Sequence, residues 1–270
     1  MSALTFTLKQ PIAQRVDMSP LTSQNLQALS LAEIAALTLQ TGNRKLAVSE
    51  LFDISGDDAQ QIVIENSSTK LDYIGKGLSA GEILVRGDAG AYTGMQMLGG
   101  SIKVSGSAGL YTGCEMKNGD IEIGGNVGDY TGGALPGNKQ GMRGGSILIK
   151  GNAGSRTGDH MRRGQILIEG DAGEYLGSRM IAGTIAVLGE IGRYPGYAMR
   201  RGTLLLWKQP PLPAYFNDCG THSLAFLPLM FASFKHLDSK FADSSITFNR
   251  VQRYGGDIAE SGRGEILVKV

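Results

Sequence analysis

Six basic side chains recur at a repeating position. Lys117, Arg143, Arg162 and Arg200 directly follow Met116, Met142, Met161 and Met199, and Arg163 and Arg201 come next. Ile181 and Ala182 interrupt the series after Met180. The chemistry open to such a row is charge-assisted hydrogen bonding to carboxylate or phosphate, not bond making. Charge is also segregated along the chain. Residues 81–140 hold four Lys/Arg and six Asp/Glu, a net of −2, whereas residues 141–208 hold ten and five, a net of +5. Like charges at stacked positions repel unless hydration or an anion compensates them. The row therefore predicts an electropositive surface for a polyanionic ligand or an acidic subunit. A solvated row of turns is the plainer alternative.

Bond-making constellations are scarce. Cys219 and His222 stand three apart, a spacing at which a thiolate–imidazole pair is conceivable, but no third group orients it. His160 and His236 lie in unrelated contexts, so the three histidines offer no metal-ligand spacing. Gly75-Lys-Gly77-Leu-Ser-Ala80 has alanine where a dinucleotide fingerprint needs its third glycine. Asn66-Ser-Ser is a glycosylation sequon without a secretory context. No catalytic residue and no metal ligand is assigned.

The elements that must position the basic row are written in glycine, which fills 40 of 270 positions. Blocks open at Gly81, Gly100, Gly119, Gly145, Gly164, Gly183 and, truncated, Gly202, with a spacing of 19 residues except for one step of 26. Each contains a Gly-x-Ile-x-Val/Ile-x-Gly strand, then Ala/Val-Gly, a tyrosine, another glycine and a methionine. A strand this short buries its apolar face only by stacking on copies of itself. The expectation is a mainly β protein, a right-handed parallel β-helix. Its predicted ladders are Ile/Val, the line Ala89, Ala108, Val127, Ala153, Ala172 and Ile191, the methionines, and tyrosines interrupted by Arg156. An earlier degenerate coil includes Ile62–Ile64 and Tyr73-Ile74-Gly75. The seven extra residues around Gly133–Gln140 read as a loop protruding from one edge.

Three segments are expected: an N-terminal cap over 1–55, the β-helix over 56–208 and a C-terminal docking or capping segment over 209–270. In the first, Ser30-x-x-Glu33 is a capping box opening a helix that ends near Gly42, and Leu46–Val48 and Phe52–Ile54 read as short strands. In the last, Leu224–Leu237 reads as a helix broken near Pro228, and Glu265–Val270 as a final strand. A formal charge of +1 argues against general nucleic-acid or membrane-surface binding. No basic leader and no apolar run of membrane-spanning length is evident, so a cytoplasmic protein is expected. Cys114 and Cys219 form neither a zinc pattern nor a disulfide framework.

With these blocks laid out, the chain resembles the C subunit of formylmethanofuran dehydrogenases, and more closely its counterpart in the formyltransferase/hydrolase complex of aerobic methylotrophs. The resemblance runs from about Val16 to the C-terminus. It includes Val16-Asp-Met-Ser-Pro20, Phe52-Asp-Ile-Ser-Gly56 and Tyr254-Gly-Gly-Asp257 followed by Gly262-Arg-Gly-Glu265. The glycine repeat alone is similar to that of the C-terminal domain of glutamate synthase, so repeat and flanks together carry the likeness.

The resemblance implies a structural subunit. Sister subunits, a formyltransferase and a metal-dependent amidohydrolase-like chain, would move a formyl group from formyl-tetrahydromethanopterin to a methanofuran-type carrier and release formate. No cofactor is then expected on this chain. The carrier's polyglutamate arm is an anion suited to Lys117, Arg143, Arg162, Arg163, Arg200 and Arg201. Two alternatives stay open: the C subunit of a methanogen-type formylmethanofuran dehydrogenase, and a free-standing β-helix enzyme acting on polysaccharide. The latter would need carboxylates clustered with Lys/Arg along a groove, whereas Glu82, Asp88, Asp120, Glu169 and Asp171 are scattered.

Overall fold

Alternation within each block decides which side chains turn inward, and the blocks align so that like residues meet. The computed structural model describes residues 2–270. Ile83, Ile102, Ile121, Ile147, Ile166, Ile185, Leu204 and Ile266 are successive partners in parallel strands. All eight are buried. The six methionines of the repeat form a second buried line. Isolated parallel bridges join Ala89, Ala108, Val127, Ala153, Ala172 and Ile191 in the predicted order. Close approach explains the glycine opening each block. Gly100 has φ +76°, and a Cβ there would lie 2.5 Å from the Gly81 carbonyl oxygen.

Tyr73, Tyr92, Tyr111 and Tyr130 stack with ring centroids 4.8, 5.2 and 4.9 Å apart, close to the spacing of neighbouring strands. Arg156 replaces the next ring and lies over Tyr175, 4.6 Å from its centroid, so the ladder continues as a cation–π contact. These tyrosines occupy the left-handed region, as Tyr92 does with φ 61°. That conformation is unusual for a bulky residue. A further ladder is polar. Oxygens of Asp88, Ser107, Asn126, Asn152 and Asp171 each accept the backbone N–H of a residue on the next repeat, at 2.7–3.1 Å.

The first strand of the chain joins this stack. β1 (Ala3–Leu8) runs parallel to β6 (Asp58–Ser67) and antiparallel to β5 (Phe52–Ser55). β2 (Val16–Asp17), β3 (Thr38–Thr41), β4 (Arg44–Ala47) and β7 (Leu71–Asp72) make a separate four-stranded sheet. Between them lie α1 (Ser23–Leu26), α2 (Leu31–Ala36) and α3 (Val48–Leu51). The capping box of Ser30 and Glu33 opens α2 as expected. The helix does not reach Gly42, however. Alternating Thr38–Thr41 pairs antiparallel with β4, and Gly42, at φ +56°, sits in the turn of that hairpin. Val48 opens α3 instead of ending the preceding strand.

The repeat strands are β8 (Glu82–Gly87), β9 (Ser101–Val104), β10 (Asp120–Ile123), β11 (Arg143–Ile149), β12 (Arg163–Ile168), β13 (Thr184–Val187) and β14 (Arg201–Leu206). β15 (Asn217–Ser223), β16 (Arg250–Gly256) and β17 (Arg263–Lys269) follow, and α4 (Phe226–Phe234) lies between the first two of these. Thirteen strands form one sheet, with β8–β14 in chain order. β17 pairs parallel with β14, and β16 and β15 extend that end antiparallel. The earlier apolar segment joins the same sheet, since Ile62 pairs with Ile83 and Ile64 with Val85.

Pro228 does not break α4. It is the third helical residue, where its missing N–H has no intrahelical bond to lose. Nor does α4 lie across the end of the stack. Leu227, Phe231 and Phe234 cover an outward-facing apolar row, Leu148, Leu167, Ala186, Leu205 and Leu267. Polar anchors hold this cover in place. Lys150 bridges Glu122 and Asp238 at 2.8 and 2.7 Å. The buried Glu169 carboxylate accepts from Ser239 Oγ and the Lys240 N–H at 2.7 and 2.8 Å.

Candidate anion-binding row

The backbone places the basic row in one column. The amides of Lys117, Arg143, Arg162, Ile181 and Arg200 each donate to the carbonyl of the methionine one repeat earlier, at 2.7–2.8 Å. Met97, Met116, Met142, Met161 and Met180 are the acceptors. Spacing in the chain thus becomes stacking in space, with one uncharged gap at Ile181 and Ala182. All six predicted basic side chains are exposed.

Pairing brings some of them closer than the repeat alone suggests. A register shift in β11 sets Arg143 opposite Arg163 rather than Arg162. Arg201 lies opposite Arg263, a seventh member that the methionine spacing does not reach. A signal for it exists: Arg263-Gly264 before a strand repeats Arg163-Gly164 and Arg201-Gly202. The final strand opens at Arg263, two residues before the expected Glu265. Arg200 alone is committed to a carboxylate, with Nε 3.1 Å from Glu260. Among the described residues, Lys117, Arg143, Arg162, Arg163, Arg201 and Arg263 make no ion pair. Two arginine pairs facing each other across strands, unneutralised, are electrostatically unfavourable without an external anion.

Beside Arg143 the insertion is held by a buried carboxylate. Glu115 Oε1 accepts from the Leu135 N–H at 3.2 Å and from Asn138 Nδ2 at 2.5 Å, and Oε2 accepts from Gln96 Nε2 at 2.9 Å. Burial pushes the Glu115 carboxyl up, but the hydrogen bonds from Gln96, Asn138 and Leu135 and the charge of Arg143 outweigh it. The group is held below the usual carboxylate range. One repeat beyond the insertion, Asp159 is buried and bridged by Arg179, with Nε and one terminal nitrogen at 3.0 Å each. Ser178 Oγ and His160 Nδ1 complete its shell at 2.5 and 2.9 Å.

Nucleophile geometry does not develop elsewhere. His222 Nε2 meets the Cys219 carbonyl at 2.8 Å, while the Cys219 thiol donates to the Asn217 carbonyl. Burial pushes the Cys114 thiol up to about 12. Asp88 and Asp171 serve the polar ladder and Glu169 anchors the C-terminal cover, so these carboxylates do not gather in a groove. Among the described residues no three His, Cys, Asp or Glu side chains are grouped to hold a metal ion. Among the described residues no helix is long and apolar enough to cross a membrane.

Similarity to known proteins agrees with this architecture. A family model described as the GXGXG motif matches residues 62–217. One chain of the crystal structure of the formyltransferase/hydrolase complex (FhcABCD) from Methylorubrum extorquens, solved in complex with methylofuran, superimposes with a TM-score of 0.91. The match is at 41% identity, over 98% of this chain and 99% of that one. This chain is a member of the family formed by the C subunits of formylmethanofuran dehydrogenases and of the Fhc complex. Within that family, it is 44% identical over 86 residues to the C subunit of the formyltransferase/hydrolase complex Fhc of Methylorubrum extorquens, covering 32% of each. It is 36% identical over 94 residues to the C subunit of the tungsten-containing formylmethanofuran dehydrogenase 2 of Methanococcus maripaludis, covering 34% of this chain and 35% of that one. These two sequence alignments thus span about a third of the length of each curated relative.

Proposed function

We propose that this member of the C-subunit family is the structural, or scaffold, subunit of a formyltransferase/hydrolase complex. Such a complex moves a formyl group from formyl-tetrahydromethanopterin to a methanofuran-type carrier and releases formate in one-carbon metabolism. The observation that carries the reading is the end-to-end likeness, at 41% identity, to a chain of the FhcABCD structure. In this reading residues 56–208 wind as a right-handed parallel β-helix, residues 1–55 cap it and residues 209–270 dock or cap. Formyl transfer and hydrolysis belong to sister subunits, a formyltransferase and a metal-dependent amidohydrolase-like chain. This chain binds no cofactor of its own, works in the cytoplasm and engages neither nucleic acid nor membrane.

The row of Lys117, Arg143, Arg162, Arg163, Arg200 and Arg201, extended by Arg263, is the face for the carrier's polyglutamate arm or an acidic partner surface. Successive strands stand about 4.8 Å apart. A flexible polycarboxylate laid along the stack therefore meets one or two cations per repeat, except at the Ile181 gap. Native purification from the source organism tests the assignment. Recovery of a formyltransferase and an amidohydrolase-like chain in one assembly is expected. A chain that purifies alone as a soluble monomer refutes it. The likeness to the Methanococcus maripaludis protein supports a second reading, as part of a formylmethanofuran dehydrogenase. Co-purifying tungsten or molybdenum redox chains would select that one.

A further inference from the structure

α4 carries no charged residue, and apolar side chains occupy both of its faces. From Leu224 to Phe234 the one polar side chain is Ser233, whose hydroxyl donates to the Met230 carbonyl of the same helix at 2.6 Å. Leu227, Phe231 and Phe234 are taken up by the sheet. On the solvent side stand Phe226, Pro228, Leu229 and Ala232, with Phe226 43% and Leu229 75% exposed. A surface helix ordinarily turns polar residues to water, and a helix apolar all round is a buried one. Packing on the sheet therefore satisfies only half of α4.

Beside the uncovered half lies a cleft of about 390 Å³ between α4 and residues 244–249. Pro228, Phe231 and Phe248 give it apolar walls. The rings of Phe231 and Phe248 meet edge-on at 5.2 Å, and both pack against Trp207, so this surface is fixed before a partner arrives. Lys235 is the one charged residue lining the cleft. Nearby, Arg250 follows the lining residue Asn249, and Lys269 Nζ lies 5.9 Å from the Phe248 ring centroid. Among the described residues none of these three cations makes an ion pair. The carboxylates of the same segment are engaged elsewhere. Asp238 pairs with Lys150, and Asp243 accepts the Ser245 N–H at 2.8 Å.

We propose that the outer face of α4 and the cleft beside it seat an acidic amphipathic helix of a sister subunit. Phe226, Leu229 and Ser233 lie at i, i+3 and i+7, one ridge of a helix surface, and Ser233 is small enough to let a second helix approach closely. Nine residues present about 14 Å of that ridge, enough for a partner helix of two to three turns. Apolar side chains of the partner cover Phe226 and Leu229, and a carboxylate beside them answers Lys235. The inference rests on the scaffold reading and adds to it the face that is used and the chemistry its partner must present.

The test is recovery of sister subunits with the tagged full-length chain from the source organism, wild type against Leu229→Asp and Lys235→Glu. Leu229→Asp should lower recovery about tenfold, as for a buried interface anchor, and Lys235→Glu about threefold. Both side chains face solvent in the chain alone, so its melting temperature should not change. Hydroxyl-radical footprinting should find Phe226 and Leu229 protected in the wild-type complex and reactive in the chain alone. Wild-type recovery with Leu229→Asp, together with a reactive Phe226 in the complex, overturns the seat and leaves the scaffold reading standing. A chain recovered without any sister subunit overturns both. Wild-type recovery with Lys235→Glu overturns the acidic character of the partner. Dimerisation of the chain alone, or its binding to phosphatidylglycerol vesicles, overturns the sister helix as occupant if Leu229→Asp abolishes it.

Discussion

Glu115 lets a strictly repeating backbone carry an insertion without losing order. Its carboxylate is buried against Gln96, Asn138 and the Leu135 amide, and these donors with Arg143 favour the charged form. A carboxyl whose pKa is depressed on folding stabilises the protein above its unfolded value, near 4.5. That contribution is lost as the pH falls through the lower folded value. Glu115→Gln keeps the shape but removes the charge. It should be less stable than the wild type at neutral pH, with the gap in urea midpoint narrowing as the solution is acidified below the unfolded carboxyl's range. A gap that stays constant on acidification would show that the charge of Glu115 does not hold the loop. Asp159 illustrates the limit of reading such residues from sequence. Asp159 and His160 sit side by side in the chain, but Ser178 and Arg179 reach Asp159 only because they lie on the next repeat. Periodicity announces the stacking, but not which polar side chains of adjacent repeats bond.

At the scale of elements, the C-terminal helix owes its place to a change within the repeat. In β9 and β10 the outward residue is Lys103 or Glu122, whereas in β11, β12, β13 and β14 it is Leu148, Leu167, Ala186 or Leu205. Strands covered on both faces read as continuous apolar runs, and Ile-Leu-Ile beside Ile-Lys-Val is that signal. It is easily passed over because the inward ladder already accounts for every isoleucine of these strands. α4 and the segment after it answer this row, with Phe231 and Phe234 packed on it and Trp207 Nε1 bonded to the Ile246 carbonyl at 3.0 Å. Phe231→Ala should cost about 3–5 kcal/mol, the range for emptying a buried aromatic site. Limited proteolysis should then cut first within residues 224–249, with the repeat strands still protected. Cleavage spread evenly along the chain would mean that the helix is part of the core and not a cover laid over it. The polar edge strand β15 has no apolar alternation to announce it. It exists because β16 offers an antiparallel partner.

For the whole molecule, the question is whether the charged column acts as one surface. Its cations are tied to neighbouring strands of one sheet, so the spacing of their backbones is set by strand pairing and not by side-chain choice. The gap at Ile181 and Ala182 separates Arg162 and Arg163 from Arg200, Arg201 and Arg263 by one uncharged repeat. Ile181 stands in register with the arginines, its amide bonded to the Met161 carbonyl at 2.8 Å. It is also half-buried at the surface, so a longer side chain has solvent to enter. Ile181→Arg should therefore join the two halves without disturbing the fold. If the column binds a polyanion as a unit, this variant should hold hexaglutamate or a longer polyglutamate about twofold to fivefold more tightly, the worth of one more exposed contact. Its affinity should also fall more steeply with added salt, because one more charge is neutralised on binding. Acetate, with a single carboxylate, should bind as it does to the wild type. A gain for acetate equal to that for the long chain would mean that each cation acts alone. No gain for either would mean that the row is solvated surface. This substitution adds a charge instead of removing one, so a positive result cannot come from damage to the fold.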